Sequence, residues 1–555
     1  MRRRDRSILC AGLLLSGCTV GEPCARARRC DGEVLTLETC EGTSVLERCD
    51  ARGLRCDEDE GCAGCLPGHA SCEGDAIWRC DASGARAFEA RCDVARGEGC
   101  AGGACVDLCA AAAGESSYLG CEHLAITALN SSLPEGLDFA LVLGNPGEHD
   151  ASVRVLRDGA EVASTTVPAR STATLALPRI DELARSRRSS TLARAGAYRV
   201  RADRPIAAYQ YNPLEFRRDE RCALTGTSAD LECFSFSNDA SLLLPTHALG
   251  ARYLADARRA VVGAGSFVAI AAPARARVRV TVTSALAPSA DGALAAVAAG
   301  DTFEVDLEAG DVLQLVSLDG SLAGTEIDAG APVLVIAGAD CANVPPASPA
   351  CDHLEEIMPP LSAWGRTVVA AAPRSVDGEP SVLRVTSGAD GNVITLSNVA
   401  APIPLERGER FEIVTADDVL VEGTHPLLVT QYLVGALYFD RAIEGRDAST
   451  VGDPAMGLAT PVEQLRTSYA FVVPSSFDRN TAAIVAHAGD EVRLDGAPVE
   501  AWDAVASSPW RVARVPIEGG PHVLTSTRGA GLTLYGVAPF TSYLLPGGLD
   551  VEALQ

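Results

Sequence analysis

The chain has 555 residues, 47% of them hydrophobic, and a formal net charge of −26 at pH 7. This acidic balance disfavours nucleic acid and anionic lipid surfaces as partners, because both would repel the chain. Every one of its 47 basic residues is arginine, which excludes Schiff-base lysines, a P-loop and a Ser-Lys dyad.

Residues 1–17 have the order of a secretory signal peptide. A positive stretch from Arg2 to Arg6 precedes the apolar run Ile8–Leu15, and two small residues then lead into Cys18. The apolar run is too short to span a bilayer. A plain cleaved signal is one interpretation, in which Cys18 is incidental.

The sequence Leu15–Cys18 resembles the lipobox of bacterial lipoproteins. The resemblance implies that the chain is cut before Cys18 and that palmitate-type acyl chains on this residue hold the protein in the membrane. Two or three acyl chains anchor a protein stably where one would not. Thr19 stands where an inner-membrane retention signal would have aspartate, so we expect a cell-envelope location at the outer membrane or cell surface.

Residues 18–116 are rich in cysteine and are expected to form a disulfide-bonded stalk in an oxidising compartment. The stalk contains two six-cysteine modules, at 24–62 and 65–105, which are each too small to fold around an apolar core alone. The spacing leaves the connectivity open. The module cysteines are Cys24, Cys30, Cys40, Cys49, Cys56, Cys62, Cys65, Cys72, Cys80, Cys92, Cys100 and Cys105.

A zinc or redox site is the alternative for this region. Cys62 and Cys65 form a CxxC motif, but the second such pair that a zinc ribbon needs is missing. A disulfide framework is therefore the favoured interpretation.

From residue 118 the sequence has the character of a β protein. Asp158-Gly159 and Asp495-Gly496 each stand between short β-branched runs, which predicts two hairpins. Arg277–Thr283 alternates polar and apolar residues, as a half-buried strand does. We therefore expect a mainly β fold, with tandem antiparallel β-sandwich-like units behind a small disulfide-rich N-terminal region. The one predicted helix, Pro178–Ala195, is expected to be an exposed insertion.

A repeat divides this body into four units. In each unit a polar step and a turn precede an apolar run that ends near an aromatic residue, and a proline boundary follows. The repeated segments are 201–211, 328–336, 422–432 and 526–535. The predicted units lie near 118–244, 245–358, 359–460 and 461–549, with a tail at 550–555.

Several segments of the body resemble a known family. They are Ser117–Glu122, Ala207–Leu214, Cys351–Pro360, Ala363–Arg366 and Ser542–Leu549. The chain is similar over roughly residues 117–549 to the IgGFc-binding protein N-terminal domain, as found in bacterial surface lipoproteins. This resemblance implies a binding or adhesion module, and it leaves the stalk outside.

Six cysteines outside the two modules suggest three further disulfides. Cys109 with Cys121 would tie the stalk to the body, and Cys222 with Cys233 would close an acidic loop. Cys341 with Cys351 would close a second acidic loop, which is worth about 3 kcal/mol on the chain-entropy model.

The most suggestive cluster for chemistry follows Cys351. A Cys341–Cys351 bridge would hold Asp340 close to Asp352, His353, Glu355 and Glu356. They are weak candidates for a structural calcium site or for an acid/base pair. The favoured interpretation is a disulfide-closed loop whose charges are solvated or satisfy backbone N–H groups, so we expect no metal, no cofactor and no catalytic residue.

Together these features predict a non-enzymatic, lipid-anchored surface protein whose β-rich body binds an unknown protein or glycan. One alternative is an exported hydrolase that acts on polysaccharide. The other is a purely structural envelope protein.

Overall fold

The computed structural model describes residues 27–39, 42–58, 61–219, 221–222, 230–374, 378–438 and 451–554. The chain divides into two compact parts, Met1–Val106 and Asp107–Gln555, here called the N-terminal region and the body. Both consist mainly of antiparallel strands, so the predicted fold class is confirmed. No helix within these ranges is long and apolar enough to cross a membrane.

Short hairpins make up the N-terminal region. Its strands pair as β1–β2–β3, β4–β5, β6–β7–β8 and β9–β10. Few of the described side chains are buried there, and half of the buried ones are cysteines. The strands are β1 Ala27–Asp31, β2 Val34–Thr39, β3 Gly42–Arg48, β4 Arg55–Asp57, β5 Gly61–Ala63, β6 Ala70–Glu73, β7 Ala76–Cys80, β8 Arg86–Arg91, β9 Glu98–Ala101 and β10 Ala104–Asp107.

Disulfides connect these hairpins. Cys62 is bonded to Cys49 and Cys65 to Cys80, so the CxxC motif is neither a redox disulfide nor a zinc-binding pair. The other pairs in the region are Cys30–Cys56, Cys72–Cys100 and Cys92–Cys105. Cys18, Cys24 and Cys40 lie outside the described residues.

The body begins earlier than the predicted end of the stalk at residue 116. Helix α1, Leu108–Ala113, is capped by the Asp107 carboxylate, which accepts a hydrogen bond from the Ala110 amide. The disulfide Cys109–Cys121 then ties this helix to the first strand that follows. Residues 107–116 therefore pack with the body.

Four units follow, and each repeats one order of strands. The first contains β11 Gly120–Ala125, β12 Phe139–Asn145, β13 Ala151–Arg157, β14 Ala160–Val167, β15 Ser171–Leu177, α2 Asp181–Ala184, β16 Thr191–Ala193, β17 Tyr198–Tyr211, α3 Asp230–Cys233 and β18 Ala240–Leu243. The second contains β19 Gly250–Leu254, β20 Ser266–Ala271, β21 Ala276–Thr281, β22 Thr302–Leu307, β23 Val312–Ser317, β24 Glu326–Ala342 and β25 Asp352–Ile357.

The third and fourth units have the same plan. The third contains β26 Thr367–Ala370, β27 Ser381–Ser387, β28 Asn392–Leu396, β29 Ile403–Leu405, β30 Arg410–Thr415, β31 Val419–Gly423, β32 Leu427–Tyr432 and β33 Met456–Ala459. The fourth contains β34 Arg466–Val473, β35 Arg479–His487, β36 Val492–Leu494, β37 Ala497–Pro498, β38 Asp503–Ala504, β39 Trp510–Ile517, β40 Gly520–Ala538 and β41 Thr541–Pro546.

Two sheets in each unit are joined through the segment that the sequence repeat marks. In the first unit, the front half of β17 pairs with β11 and β13, and its back half pairs with β12 and β18. Strands β24 and β40 do the same in the second and fourth units. In the third unit two shorter strands take the place of the long one. β31 pairs in the first sheet and β32 pairs in the second. In the other three units the repeated segment of the sequence therefore lies on one long strand. Its polar beginning pairs in one sheet, and the apolar run that follows pairs in the other.

The last strand of each unit lies at the centre of the body. These inner strands are β18, β25, β33 and β41, and each contacts the inner strands of two other units. The contacts run from β18 to β25, to β33, to β41 and back to β18, so the four inner strands form a closed ring. Apolar cores run across the unit boundaries, and one of them combines side chains from the first, second and fourth units.

Of the predictions for single elements, the two hairpins and the strand are confirmed and the helix is not. Asp158-Gly159 and Asp495-Gly496 adopt the positive φ values of tight hairpin turns, so both hairpins are confirmed, as is the strand at Arg277. The helix Pro178–Ala195 is wrong. Only Asp181–Ala184 is helical, with Leu183 buried, and β16 pairs with β23 of the second unit. The first unit therefore contributes one strand, β16, to a sheet of the second unit.

The two ends of the body meet. The Tyr118 amide donates to the carbonyl of Leu549 (3.2 Å), and the Val551 amide donates to the carbonyl of Ser116 (2.7 Å). The hydroxyl of Tyr118 also donates to the carbonyl of Ala470 in β34 (2.8 Å). The first and fourth units are thereby joined, which closes the circle of units.

Candidate functional site

The predicted acidic cluster lies on β25, the inner strand of the second unit. Asp352, His353, Glu355 and Glu356 are all completely buried. β25 pairs with β24 and also contacts β18 and β33, so neither of its faces reaches solvent. The charges are therefore not solvated, because the residues after Cys351 enter the centre of the body. The other half of the expectation agrees with the structure, since Cys341–Cys351 closes a loop and the carboxylates of Asp352 and Glu356 accept hydrogen bonds from backbone amides.

One face of β25 carries His353 and Glu355. The Glu355 carboxylate accepts hydrogen bonds from Gln210 Nε2 (2.8 Å) and Asn212 Nδ2 (3.0 Å), both supplied by the first unit. His353 Nε2 lies 3.0 Å from Glu355 Oε2. The ring of Phe267 stacks against the imidazole, with 5.9 Å between centroids. Glu355 thus has hydrogen-bond partners on both oxygens.

The other face carries Glu356. Its Oε1 accepts hydrogen bonds from the Ser241 hydroxyl (2.7 Å) and the Ile357 amide (2.8 Å). Its Oε2 is buried and has no partner among the described residues. Burial, together with the nearby negative charge of Glu355, raises the pKa of Glu356 well above its ordinary range. A protonated Glu356 is the form that suits this position.

Asp239 joins three units at the same centre. Its Oδ2 accepts from the amides of Glu355 (3.1 Å) and Met456 (3.0 Å), and its Oδ1 accepts from the Ala240 amide (2.9 Å). Even with these donors, burial raises the pKa of Asp239 well above its ordinary value, and the charge of Glu355 adds to the effect. Asp239 therefore holds β18, β25 and the start of β33 together.

Two further buried aspartates complete the cluster. Asp453 Oδ1 accepts a hydrogen bond from the Ala436 amide (2.7 Å), and burial raises its pKa from 3.8 to about 7. Burial, followed by the charges of Asp453 and Asp239, raises the pKa of Asp352 well above its ordinary value. Burial at the centre of the body thus favours the protonated form of both carboxyl groups.

This arrangement does not fit a calcium site or an acid/base pair. Glu355 and Glu356 are neighbours on one strand, so their side chains point to opposite faces. Within the part of the chain that the structure describes, no three His, Cys, Asp or Glu side chains converge on a point where a metal could bind. The cluster forms the hydrogen-bonded centre of the body.

The remaining predicted cysteines form pairs in the body. Cys341 is bonded to Cys351, and Cys222 to Cys233. The first pair closes the loop between β24 and β25. The second pair joins Cys222 to the last residue of α3, which precedes β18 in the chain. Both disulfides thus lie immediately before an inner strand.

Sequence reasoning missed Asp239, Asp453, Gln210 and Asn212. The two aspartates share one signal with Asp352, since each of the three lies six to eight residues before the proline that ends its unit and at or just before an inner strand. Gln210 and Asn212 lie within the family-like segment Ala207–Leu214, but nothing in that segment indicates their partner on β25, which is distant in the sequence.

Surface cavities, in contrast, lie between units. A cavity of about 810 Å³ separates the third and fourth units, where Arg374, Arg514 and Tyr535 contribute to its wall. A groove of about 540 Å³ separates the second and third units, and Arg258 and Arg384 contribute to its wall. These boundaries are the concave surfaces at which a ligand could contact the body.

Comparison with known proteins gives one match. A family model described as IgGFc binding protein matches residues 239–536, which run from Asp239 into β40. No curated protein matches the chain.

Proposed function

The chain belongs to the IgGFc-binding protein family, whose model covers more than half of it, and from this we propose that it is a non-enzymatic binding protein. In this proposal the body binds a macromolecular ligand at its surface. A lipid on Cys18 holds the protein at the cell envelope, and the N-terminal region separates the body from the membrane.

The burial of the acidic cluster is the observation that carries this proposal. Catalysis by Glu355 or Glu356 would require a substrate to reach them, but both are completely buried and hydrogen-bonded across unit boundaries. The concave surfaces of the body lie elsewhere, between units. A rigid scaffold that presents surface grooves suits binding better than turnover.

The family description supplies the first ligand to test. It names the Fc part of immunoglobulin G. We propose protein binding or adhesion in general for this chain, and Fc is one candidate within that class.

The experiment measures binding and turnover with the same preparation. The full-length chain in detergent is presented to Fc, to a protein array and to a glycan array, and polysaccharide hydrolysis is followed by release of reducing ends. We expect saturable binding to a protein or glycan and no hydrolysis. Hydrolysis that a Glu355→Gln variant of unchanged melting temperature loses would establish the hydrolase instead. Absence of any binding would favour a structural role.

The anchor has its own test. Labelled palmitate should enter the wild-type chain, and Cys18→Ser should abolish both the labelling and the retention in the membrane fraction. Cys10→Ser is the matched control, because it changes a cysteine within the expected signal peptide and should leave labelling unchanged. Labelling of the Cys18→Ser variant would contradict the proposal.

A further inference from the structure

The groove between the second and third units combines positive charge with exposed apolar surface. Arg258, Arg259 and the segment Ala260–Val262 line it from the second unit, and Arg384 and Arg410 line it from the third. Val262 is fully exposed to solvent. This local composition contrasts with the net charge of −26 of the whole chain.

The charged side chains at the floor of the groove are paired with each other. Arg258 donates through both terminal nitrogens to the Glu412 carboxylate (2.9 and 3.1 Å). Arg384 donates to Asp256 (2.9 Å) and also to Glu412. Both guanidinium groups lie over the ring of Tyr432, with centroid distances of 4.6 and 5.3 Å. Two arginines and two carboxylates thus neutralise each other beneath the surface.

The rim of the groove is not balanced. Arg259 is exposed, and no carboxylate pairs with it among the described residues. Arg410 donates only to backbone carbonyls, those of Ala323 (2.9 Å) and Gly408 (3.0 Å). Two guanidinium charges therefore remain available above a floor that holds its own charges in place.

We propose that this groove docks an acidic, extended segment of a partner protein. Carboxylates of the partner pair with Arg259 and Arg410, since guanidinium groups match carboxylates in geometry and charge. Apolar side chains of the partner cover Val261 and Val262. This inference rests on the proposed binding function and specifies one surface and one ligand chemistry for it.

The apolar side chains decide between an acidic protein and an acidic polysaccharide. Protein interfaces combine arginine with apolar side chains, and burying an exposed valine contributes favourably when an aliphatic side chain covers it. A sugar site would typically present aromatic faces, but no aromatic residue lines the described part of the groove, and the nearest ring, that of Tyr432, is buried beneath Arg258 and Arg384. The groove therefore favours a peptide.

The test uses the full-length chain in detergent and a fluorescent peptide rich in glutamate and valine. We expect the peptide to bind, and the same peptide with glutamine in place of glutamate to bind at least about tenfold more weakly. The double variant Arg259→Ala, Arg410→Ala should weaken binding of the acidic peptide by at least about tenfold. Raising the salt concentration should weaken it as well, because exposed charges are screened.

Arg528→Ala is the matched control. Arg528 is exposed and lies on β40 of the fourth unit, which contributes no residue to the groove, so its loss should leave peptide binding unchanged. Arg259 has no hydrogen bond or ion pair among the described residues, so Arg259→Ala should keep the melting temperature of the wild type and should by itself weaken binding of the acidic peptide. Arg410→Ala also removes hydrogen bonds to the carbonyls of Ala323 and Gly408, so the melting temperature of the double variant is measured alongside its peptide binding. Binding that survives the double substitution, or failure of the acidic peptide to bind, would overturn the proposal.

Two other outcomes separate this proposal from the proposed function. If a polyuronate such as alginate binds and the peptide does not, the groove is a polysaccharide site and the protein-docking proposal is wrong. If Fc or an array ligand binds the double variant as well as it binds the wild type, the chain is a binding protein that uses another surface.

Discussion

At the scale of single residues, the centre of the body is unusual because buried carboxyl groups accumulate there without a neighbouring cation. Asp239, Asp352, Glu356 and Asp453 are all buried with raised pKa values. A group whose pKa is raised on folding stabilises the protein at low pH and loses that contribution as the pH rises through the folded value. The centre should therefore weaken toward neutral and alkaline pH.

Asp453 gives the sharpest prediction. Its pKa rises from 3.8 to about 7 on folding, which corresponds to up to about 4 kcal/mol lost between pH 4 and pH 7. The Asp453→Asn variant carries no titratable group, so its stability relative to wild type should increase over this interval. Urea unfolding at several pH values measures the difference. Asp319→Asn at an exposed position should show no such trend, and a flat difference for Asp453→Asn would contradict the prediction.

His123 should act in the opposite direction. Burial, with the neighbouring His247, lowers its pKa from 6.5 to about 3, so the folded state holds it neutral while the unfolded state gains a proton below pH 6.5. Its stabilising contribution is complete above pH 6.5 and is lost as the pH falls toward 3.

We expect His123→Gln to remove about 2 kcal/mol of the destabilisation that acidification to pH 5 causes. Urea unfolding at pH 5 and pH 8 measures this change. His425→Gln, at an exposed position, is the control. An acid sensitivity that is the same in wild type and His123→Gln would show that other groups are responsible.

At the scale of elements, the inner strands approach their neighbours so closely that particular side chains are excluded. Gly338 lies on β24 opposite β25, and a Cβ atom there would stand 1.7 Å from the carbonyl oxygen of Leu354. Gly330 lies on the same strand at an exposed position, where a Cβ atom would meet only ordinary contacts at 3.7 Å. The two glycines provide a matched comparison.

Gly338→Ala should therefore destabilise the body by about 3 kcal/mol, because backbone atoms cannot move aside as a flexible side chain can. Gly330→Ala should change the free energy of unfolding by less than about 0.5 kcal/mol, the usual range for surface positions. Thermal and urea unfolding of the two variants measure this. Equal effects at both positions would mean that β25 is not docked as closely as described.

The sequence could predict elements whose signals are local. Asp158-Gly159 predicts its hairpin because both residues readily adopt the positive φ values of a tight turn. The repeated apolar runs predict the long strands because a strand that is buried between two sheets needs apolar side chains. The pairing of β16 with β23 of the second unit could not be predicted, since it joins residues that are distant in the chain. The buried state of Glu355 was missed for the same reason, because Gln210 and Asn212 reach it from another unit.

At the scale of the whole molecule, the two compact parts rely on different forces. The N-terminal region buries little apolar surface, chiefly around Leu35, Ala76 and Ile77, and its hairpins are joined by disulfides. The body contains apolar cores that extend across its units. Reduction should therefore affect the two parts unequally.

We expect a thiol reductant to unfold the N-terminal region and leave the body folded. Each disulfide that is lost removes about 3 kcal/mol on the chain-entropy model, which a small apolar core cannot replace. Limited trypsin digestion of the full-length chain should then cleave at arginines such as Arg52 and Arg79 and leave a stable fragment that begins near residue 107. Digestion of both parts at equal rates would contradict this prediction, and the unreduced chain is the control.

The pairing of Ser116 and Tyr118 with Leu549 and Val551 imposes an order on assembly. A chain synthesised from its N-terminus presents Tyr118 long before residue 549 is made. The first unit therefore keeps an unpaired edge while more than 400 residues follow it, on the order of tens of seconds at ordinary synthesis rates. Correct folding of the body requires that these early strands stay separate from neighbouring chains until the last strand has been synthesised.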